Sequence, residues 1–147
     1  MRLTMYTDFS LRVLIYLGAK EPGKLSTVQE ISDTYNISRN HLTKVVHELG
    51  KMGLIETIRG RGGGIRMKVE PKNINVGELV RMTEDDFHLV ECFNSESNSC
   101  ILSPVCRLKG ILHEALNAYL AVLDNYTVAD FIINKDELKA ILFDRPL

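Results

Sequence analysis

The chain has 147 residues, 45% hydrophobic and 25% charged, with a net charge of −1, a composition that excludes disordered and fibrous classes and suits one domain with an appendage. No apolar run reaches the length of a membrane span, and three cysteines in a chain without a signal-type leader predict free thiols or metal ligands in a reducing, cytoplasmic setting. The charge is divided: residues 1–70 carry eleven Lys and Arg against seven Asp and Glu, and residues 71–147 carry seven against twelve, so a polyanion is drawn to the first half.

A first packing helix is predicted over 8–20, with Leu11, Leu14, Ile15 and Gly18 on one face, Thr7 as its N-cap and Gly23 in the turn beyond. Ser26 or Thr27 caps a second helix containing Val28, Ile31 and Ser32, and Asn36 suits a tight turn. Ser38 then caps a third. Its apolar residues Leu42, Val45, Val46 and Leu49 repeat at helical spacing, while Asn40, Thr43, Lys44, His47 and Lys51 form the opposite stripe, with Arg39 at its start. Two short helices joined by a turn, the second with such a face, form a helix-turn-helix whose second helix enters the major groove. An ordinary helical hairpin with a solvated polar face has the same pattern, so the next segment decides between them.

Residues 54–59 and 65–69 read as two strands joined by Gly60-Arg61-Gly62-Gly63-Gly64. Glycine lets this tip approach another chain closely, and Arg59 and Arg61 can reach phosphates or a narrow minor groove. The run has no following Lys-Ser/Thr pair and leads into a strand, which argues against a nucleotide-phosphate loop. It is a wing. Over 38–68, seven basic side chains face two acidic ones, placing the basic excess on the elements that would touch double-stranded DNA.

Asn75 with Glu78 predicts a capped helix over 76–83, and the acidic run Glu84-Asp85-Asp86 reads as a solvated helix end. The segment 92–106 is rich in Asn and Ser and holds all three cysteines at spacing C-x7-C-x5-C. A polar loop is a poor place for cysteines serving as small core residues, which favours a metal site. Thiolates suit iron–sulfur clusters or zinc, with His88 as a candidate fourth zinc ligand. A helix over 108–123 then carries Leu108, Ile111, Leu112, Ala115, Leu116, Tyr119, Leu120 and Leu123 on a broad apolar face, more than one small domain covers readily. Pairing with a second copy is expected, and a two-fold dimer matches a palindromic operator. Thr127 with Asp130 caps a further short helix, and a last one spans 136–142.

The run Asn40-His41-Leu42-Thr43-Lys44-Val45-Val46-His47, then Leu49, Gly53-Leu54-Ile55, the wing 59–65 and the downstream cysteines resemble the IscR-like family of winged-helix regulators over nearly the whole chain. Within that family the Asn-His-Leu-x-Lys-Val-Val-His run is most similar to the nitric-oxide-sensitive iron–sulfur repressors. The resemblance implies a homodimer with one 4Fe-4S cluster per subunit on Cys92, Cys100 and Cys106. It further implies a fourth ligand at Asp8 from the other subunit, with Arg12, one turn on, orienting it. Read from the residues alone, Asp8 is a first-turn acid favourable to the helix dipole. The first cysteine interval is longer than in some relatives.

The fold class expected is therefore mainly α with a small β wing: a winged helix-turn-helix over 1–83, a cysteine-bearing cluster loop over 84–106, and a dimerisation helix with C-terminal helices over 107–147. The function expected is a transcriptional repressor that loses its operator when nitric oxide damages the cluster. An iron–sulfur regulator not specific for nitric oxide, a 2Fe-2S centre, and a zinc-stabilised regulator are the alternatives. No nucleophile–base pair or substrate constellation is legible, so no enzyme is expected.

Overall fold

In the computed structural model, which describes residues 1–144, the first helix, α1 (Met5–Ala19), begins one turn earlier than the sequence suggests. Thr4 is the N-cap; its backbone is extended and its hydroxyl accepts from the Thr7 N–H. The expected cap at Thr7 is thus corrected, and the Thr7 side chain is instead fully buried. The buried side of α1 is also wider than one stripe. Val13, Leu14, Tyr16, Leu17 and Ala19 are buried, whereas Leu11 and Ile15 are half-buried, because other elements pack around this helix on several sides.

The second helix, α2 (Val28–Tyr35), is closed by a full capping box: the Glu30 N–H donates to Thr27 Oγ1 and the Thr27 N–H to Glu30 Oε2. It ends at Asn36, in the left-handed region at φ 52°. The third, α3 (Arg39–Lys51), has Ser38 at its N-cap position, but that side chain makes no capping bond. Tertiary packing orients α3 instead. Leu42 and Leu49 are completely buried, with Val45 and Val46 close behind, and each such side chain contributes about 1.5–3 kcal/mol, more than a single cap.

The wing is an antiparallel pair, β1 (Ile55–Ile58) and β2 (Gly64–Met67), with Ile55 opposite Met67 and Ile58 opposite Gly64. Ser26 extends it through two backbone hydrogen bonds with Ile65, of 2.9 and 2.7 Å. The glycine-rich tip is demanded by the wing's own backbone. Gly60 and Gly62 have φ of 101° and 73°, and a Cβ on Gly63 would lie 2.2 Å from the Ile58 carbonyl oxygen.

A 3-10 turn at Pro71–Asn73 leads into α4 (Val76–Thr83). Asn75 accepts from the Glu78 N–H at 3.0 Å, so half of the expected box forms among the described residues. After a loop containing a single 3-10 turn, Glu91–Phe93, come α5 (Arg107–Leu123), a 3-10 turn at Val128–Ile132 capped by Thr127 and Asp130, and α6 (Lys135–Leu142). Two cores result. The first gathers α1, α2, α3 and the wing and also takes in Val128 and Leu142, because the chain beyond α5 returns to α1. The second lies between α4 and α5, on Val76, Val80, Leu116 and Leu120, with Phe87, Phe93 and Tyr119 packed against it. The last three positions of the segment expected as 107–147 lie outside the described residues.

Candidate nucleic-acid interface and cysteine loop

The buried side of α3 fixes what its other side presents. With Leu42, Val45, Val46 and Leu49 inward, Arg39, Asn40, Thr43, Lys44, His47 and Lys51 are all exposed. They are not equally free. Thr43 Oγ1 donates to the Arg39 carbonyl oxygen at 2.8 Å. Lys51 Nζ reaches both Glu48 carboxylate oxygens, at 3.0 and 3.1 Å, and His47 Nδ1 lies 3.3 Å from the first. The Lys51 contact leads in holding the Glu48 carboxyl below its usual range. Arg39, Asn40 and Lys44 have no side-chain partner among the described residues, so their donors are available for bases and phosphates.

On the wing, Arg59 and Arg61 are exposed at the tip, while Arg66 is taken up by Glu56 on the paired strand, Nε to Oε1 at 2.7 Å. The arginines that β pairing leaves free are thus those nearest the turn. A cleft of about 810 Å³ between the end of α1, the wing root and α6 is lined by Arg66 and Lys68 but by neither Arg59, Arg61 nor any residue of α3. The free basic side chains thus lie on exposed helix and hairpin surface outside that cleft, which suits a grooved duplex better than a small molecule.

The three cysteines are half-buried and form no disulfide. Cys92 lies in the Glu91–Phe93 turn and Cys106 at the N-cap position of α5. Between them the segment is organised by its own polar groups. Ser99 donates its hydroxyl and its N–H to Glu91 Oε1, each at 2.6 Å, which holds the Glu91 carboxyl below its usual range. Asn98 Nδ2 donates to Ser103 Oγ, and the Cys100 N–H to Asn98 Oδ1. The neighbours of Cys92 and Cys100 are thereby laced together.

Three soft thiols in one segment without strand pairing form a donor set that fits an iron–sulfur group. Within one chain they do not converge: among the described residues no three His, Cys, Asp or Glu side chains lie close enough together to hold a metal ion. His88, the candidate zinc ligand, has Nδ1 3.7 Å from Asp86 Oδ1.

Asp8 lies in the first turn of α1, 46% exposed, with Oδ2 2.9 Å from Arg12. Arg12 lies over the Tyr35 ring, 5.9 Å from its centroid, and the Tyr35 hydroxyl donates to the Arg12 carbonyl oxygen at 3.0 Å. Burial pushes the Tyr35 phenol up to about 12, so it remains a donor at any ordinary pH.

Sequence reasoning missed the ties between distant elements. Thr7 Oγ1 donates to Thr83 Oγ1 at 2.9 Å, and Thr4 donates through N–H and hydroxyl to Glu84 Oε1 at 2.8 and 3.0 Å. The start of α1 is thus held to the end of α4, and Glu84, read as part of a solvated run, is one of the ties. Phe93 stacks on His113 of α5. Separations of 20 to 80 positions leave no local pattern from which such pairs are read.

A buried helix-turn-helix with a basic exposed face and a two-stranded wing defines a winged-helix DNA-binding protein. Residues 3–134 match the family described as "Rrf2: Iron-dependent Transcriptional regulator", and the chain belongs to that family. Its relatives include several called HTH-type transcriptional regulator NsrR. That of Shouchella clausii is 63% identical, covering 97% of this chain and 95% of its own length. That of Bacillus subtilis is 58% identical over 97% of each. Among solved structures, Staphylococcus aureus CymR superposes with a TM-score of 0.68 at 26% identity, covering 85% of this chain and 93% of that one. IscR of T. potens superposes with a TM-score of 0.73 over 95% and 91% at 19% identity, a likeness of fold. The protein is a DNA-binding transcriptional regulator and not an enzyme. No helix among the described residues is long and apolar enough to cross a membrane.

Proposed function

We propose that the protein is a homodimeric repressor whose hold on a palindromic operator depends on an iron–sulfur cluster, 4Fe-4S and one per subunit, and is lost on exposure to nitric oxide. The observation that carries this reading is the grouping of three half-buried cysteines, free of disulfides, in one polar loop of a chain whose family is described as iron-dependent. Cys92, Cys100 and Cys106 would hold the group from one subunit and Asp8 of the other would complete it. The three cysteines, which do not converge in the chain by itself, would draw together as the group binds. The similarity of the α3 run to nitric-oxide-sensitive repressors supplies the signal.

When bound, the cluster supplies iron that reacts with nitric oxide. Everything else is done by the chain. Asn40, Thr43, Lys44 and His47, with Arg39 and Lys51, face the major groove, and Arg59 and Arg61 hold phosphates. The exposed apolar side chains Leu108 and Ile111 of α5, each 58% exposed, pair with those of the second copy. Thiolates on one subunit and a carboxylate on α1 of the other fix the separation of the two α3 helices, which two half-sites one turn apart require. Release of those ligands frees that separation, and operator affinity falls by the coupling between the two sites.

The test is an absorption spectrum with iron and sulfide content on anaerobically purified protein. A gel shift follows on a duplex selected from random sequence by that protein, before and after nitric oxide. Visible absorption, iron and sulfide together, and a shift abolished by nitric oxide are expected. Colourless protein containing zinc would replace this reading with a zinc-stabilised regulator, and a coloured protein whose shift ignores nitric oxide would leave an iron–sulfur regulator of another signal.

A further inference from the structure

The cysteine loop is nearly self-contained. Among the described residues, the hydrogen bonds of 91–105 outside helices, including Asn94 to Glu91, Ser103 to Cys100 and Val105 to Leu102, stay within 90–105. Its apolar side chains Ile101, Leu102 and Val105 are 90%, 59% and 81% exposed. Within 90–106, Phe93 is the residue that joins a core, packing against the cluster of Val76, Val80, Leu116 and Leu120.

Phe93 makes one further contact. Its ring lies on the imidazole of His113 with centroids 3.8 Å apart and planes within 2° of parallel. Cys92 is its covalent neighbour, with Cα atoms about 3.8 Å apart across one peptide. His113 lies one helical turn before the buried Leu116 on α5. The stack therefore joins a backbone position that a thiolate must occupy to the helix with the exposed apolar stripe.

We infer that the Phe93–His113 stack positions Cys92 and passes its state to the body of α5, beside the covalent path through Cys106 at the helix N-cap. This rests on the proposed iron–sulfur reading. The two rings are positioning residues, holding no ligand and touching no DNA. A close parallel pair resists tilting, since tilting either ring forfeits facing atoms across its area. Movement of Cys92 therefore turns into movement at His113, and because hydrogen bonds tie Glu91 to Ser99 and Asn98 to Ser103, loss of the stack loosens the rest of the loop, Leu102 included.

The experiment compares wild type with Phe93→Leu, His113→Leu and His113→Phe in the full-length protein, with two readouts. In apo protein, chymotryptic cleavage after Leu102 should accelerate roughly two- to tenfold in the leucine variants, the range one aromatic pair commands, and return toward wild type in His113→Phe. In cluster-loaded protein, absorbance and iron per subunit should be unchanged in every variant. The ratio of loaded to apo affinity for the selected duplex should fall by a similar factor in the leucine variants and be rescued by His113→Phe. Unchanged apo cleavage overturns the proposal, as does faster cleavage with an intact affinity ratio. If wild type carries no cluster, the iron–sulfur reading fails, and the positioning role is still decided by the apo cleavage rates.

Discussion

The guanidinium of Arg81 on α4 grips the carboxylate of Asp124 at the end of α5 with two parallel hydrogen bonds, Nη1 to Oδ1 at 2.5 Å and Nη2 to Oδ2 at 2.9 Å. Asn75, the N-cap residue of α4, donates to the Asp124 carbonyl oxygen at 2.8 Å. One residue thus receives both ends of α4, which fixes how α5 leaves the second core. Such a bidentate pair is specific in angle as well as distance.

This pair gives stability a pH dependence. The Arg81 contact holds the Asp124 carboxyl below its usual value, so its contribution is complete above the ordinary carboxylate range, near pH 4 to 5, and is lost as pH falls through the lowered folded value. Tm of Asp124→Asn should lie below that of wild type by a constant amount from about pH 5 to 8 and converge with it below about pH 4. A gap that persists in acid would show that the pair does not titrate as described.

Gly77 is the position that lets the pair form. A Cβ there would lie 1.8 Å from Asp124 Oδ1 and 2.8 Å from Arg81 Nη1. Gly77→Ala should therefore lower Tm in wild type, although alanine is the better helix former by about 1 kcal/mol. In an Asp124→Ala background the carboxylate is gone and the Arg81 side chain, no longer held, can swing away from the added methyl, so the same substitution should raise Tm. Equal effects in both backgrounds would place the cost elsewhere.

Arg59 and Arg61 stand free at the wing tip while Arg66 is held by Glu56. Arg59→Ala and Arg61→Ala should each weaken duplex binding and reduce the slope of log affinity against log salt by about 0.9 for every phosphate that is no longer neutralised. Arg66→Ala should leave that slope nearly unchanged. Asn40→Ala or Lys44→Ala should instead reduce discrimination between duplexes, by about 1–3 kcal/mol for every base edge that is no longer read. Competition binding at several salt concentrations separates the two effects.

The Asp8–Arg12 pair is exposed and one helical turn in length, so its removal should cost less than about 0.5 kcal/mol of stability. Asp8→Ala is accordingly expected to keep Tm and a three-cysteine cluster while narrowing the ratio of loaded to apo operator affinity. An unchanged ratio with an unchanged cluster spectrum would return Asp8 to a helix-start acid.

Sequence alone determined the features that local periodicity and local chemistry write. The buried stripe Leu42, Val45, Val46 and Leu49 follows from the helical repeat. The Thr27–Glu30 box follows from a three-residue spacing, and the wing from two β-rich runs around glycines. Because one face of α3 is apolar, the outward direction of Asn40 and Lys44 follows too. Tertiary structure decided what depends on partners far along the chain. Thr7 yields the cap to Thr4 because Thr83, 76 positions away, takes its hydroxyl, and the glycines of the tip answer to the Ile58 carbonyl as much as to any duplex. Glu84 became a tie for α1, Arg66 was withdrawn from the wing surface by Glu56, and Phe93 met His113. Hydrogen bonds and ring stacks select partners by proximity in space, and proximity is created by the burial of side chains scattered over the whole sequence, so no window of neighbouring residues contains it.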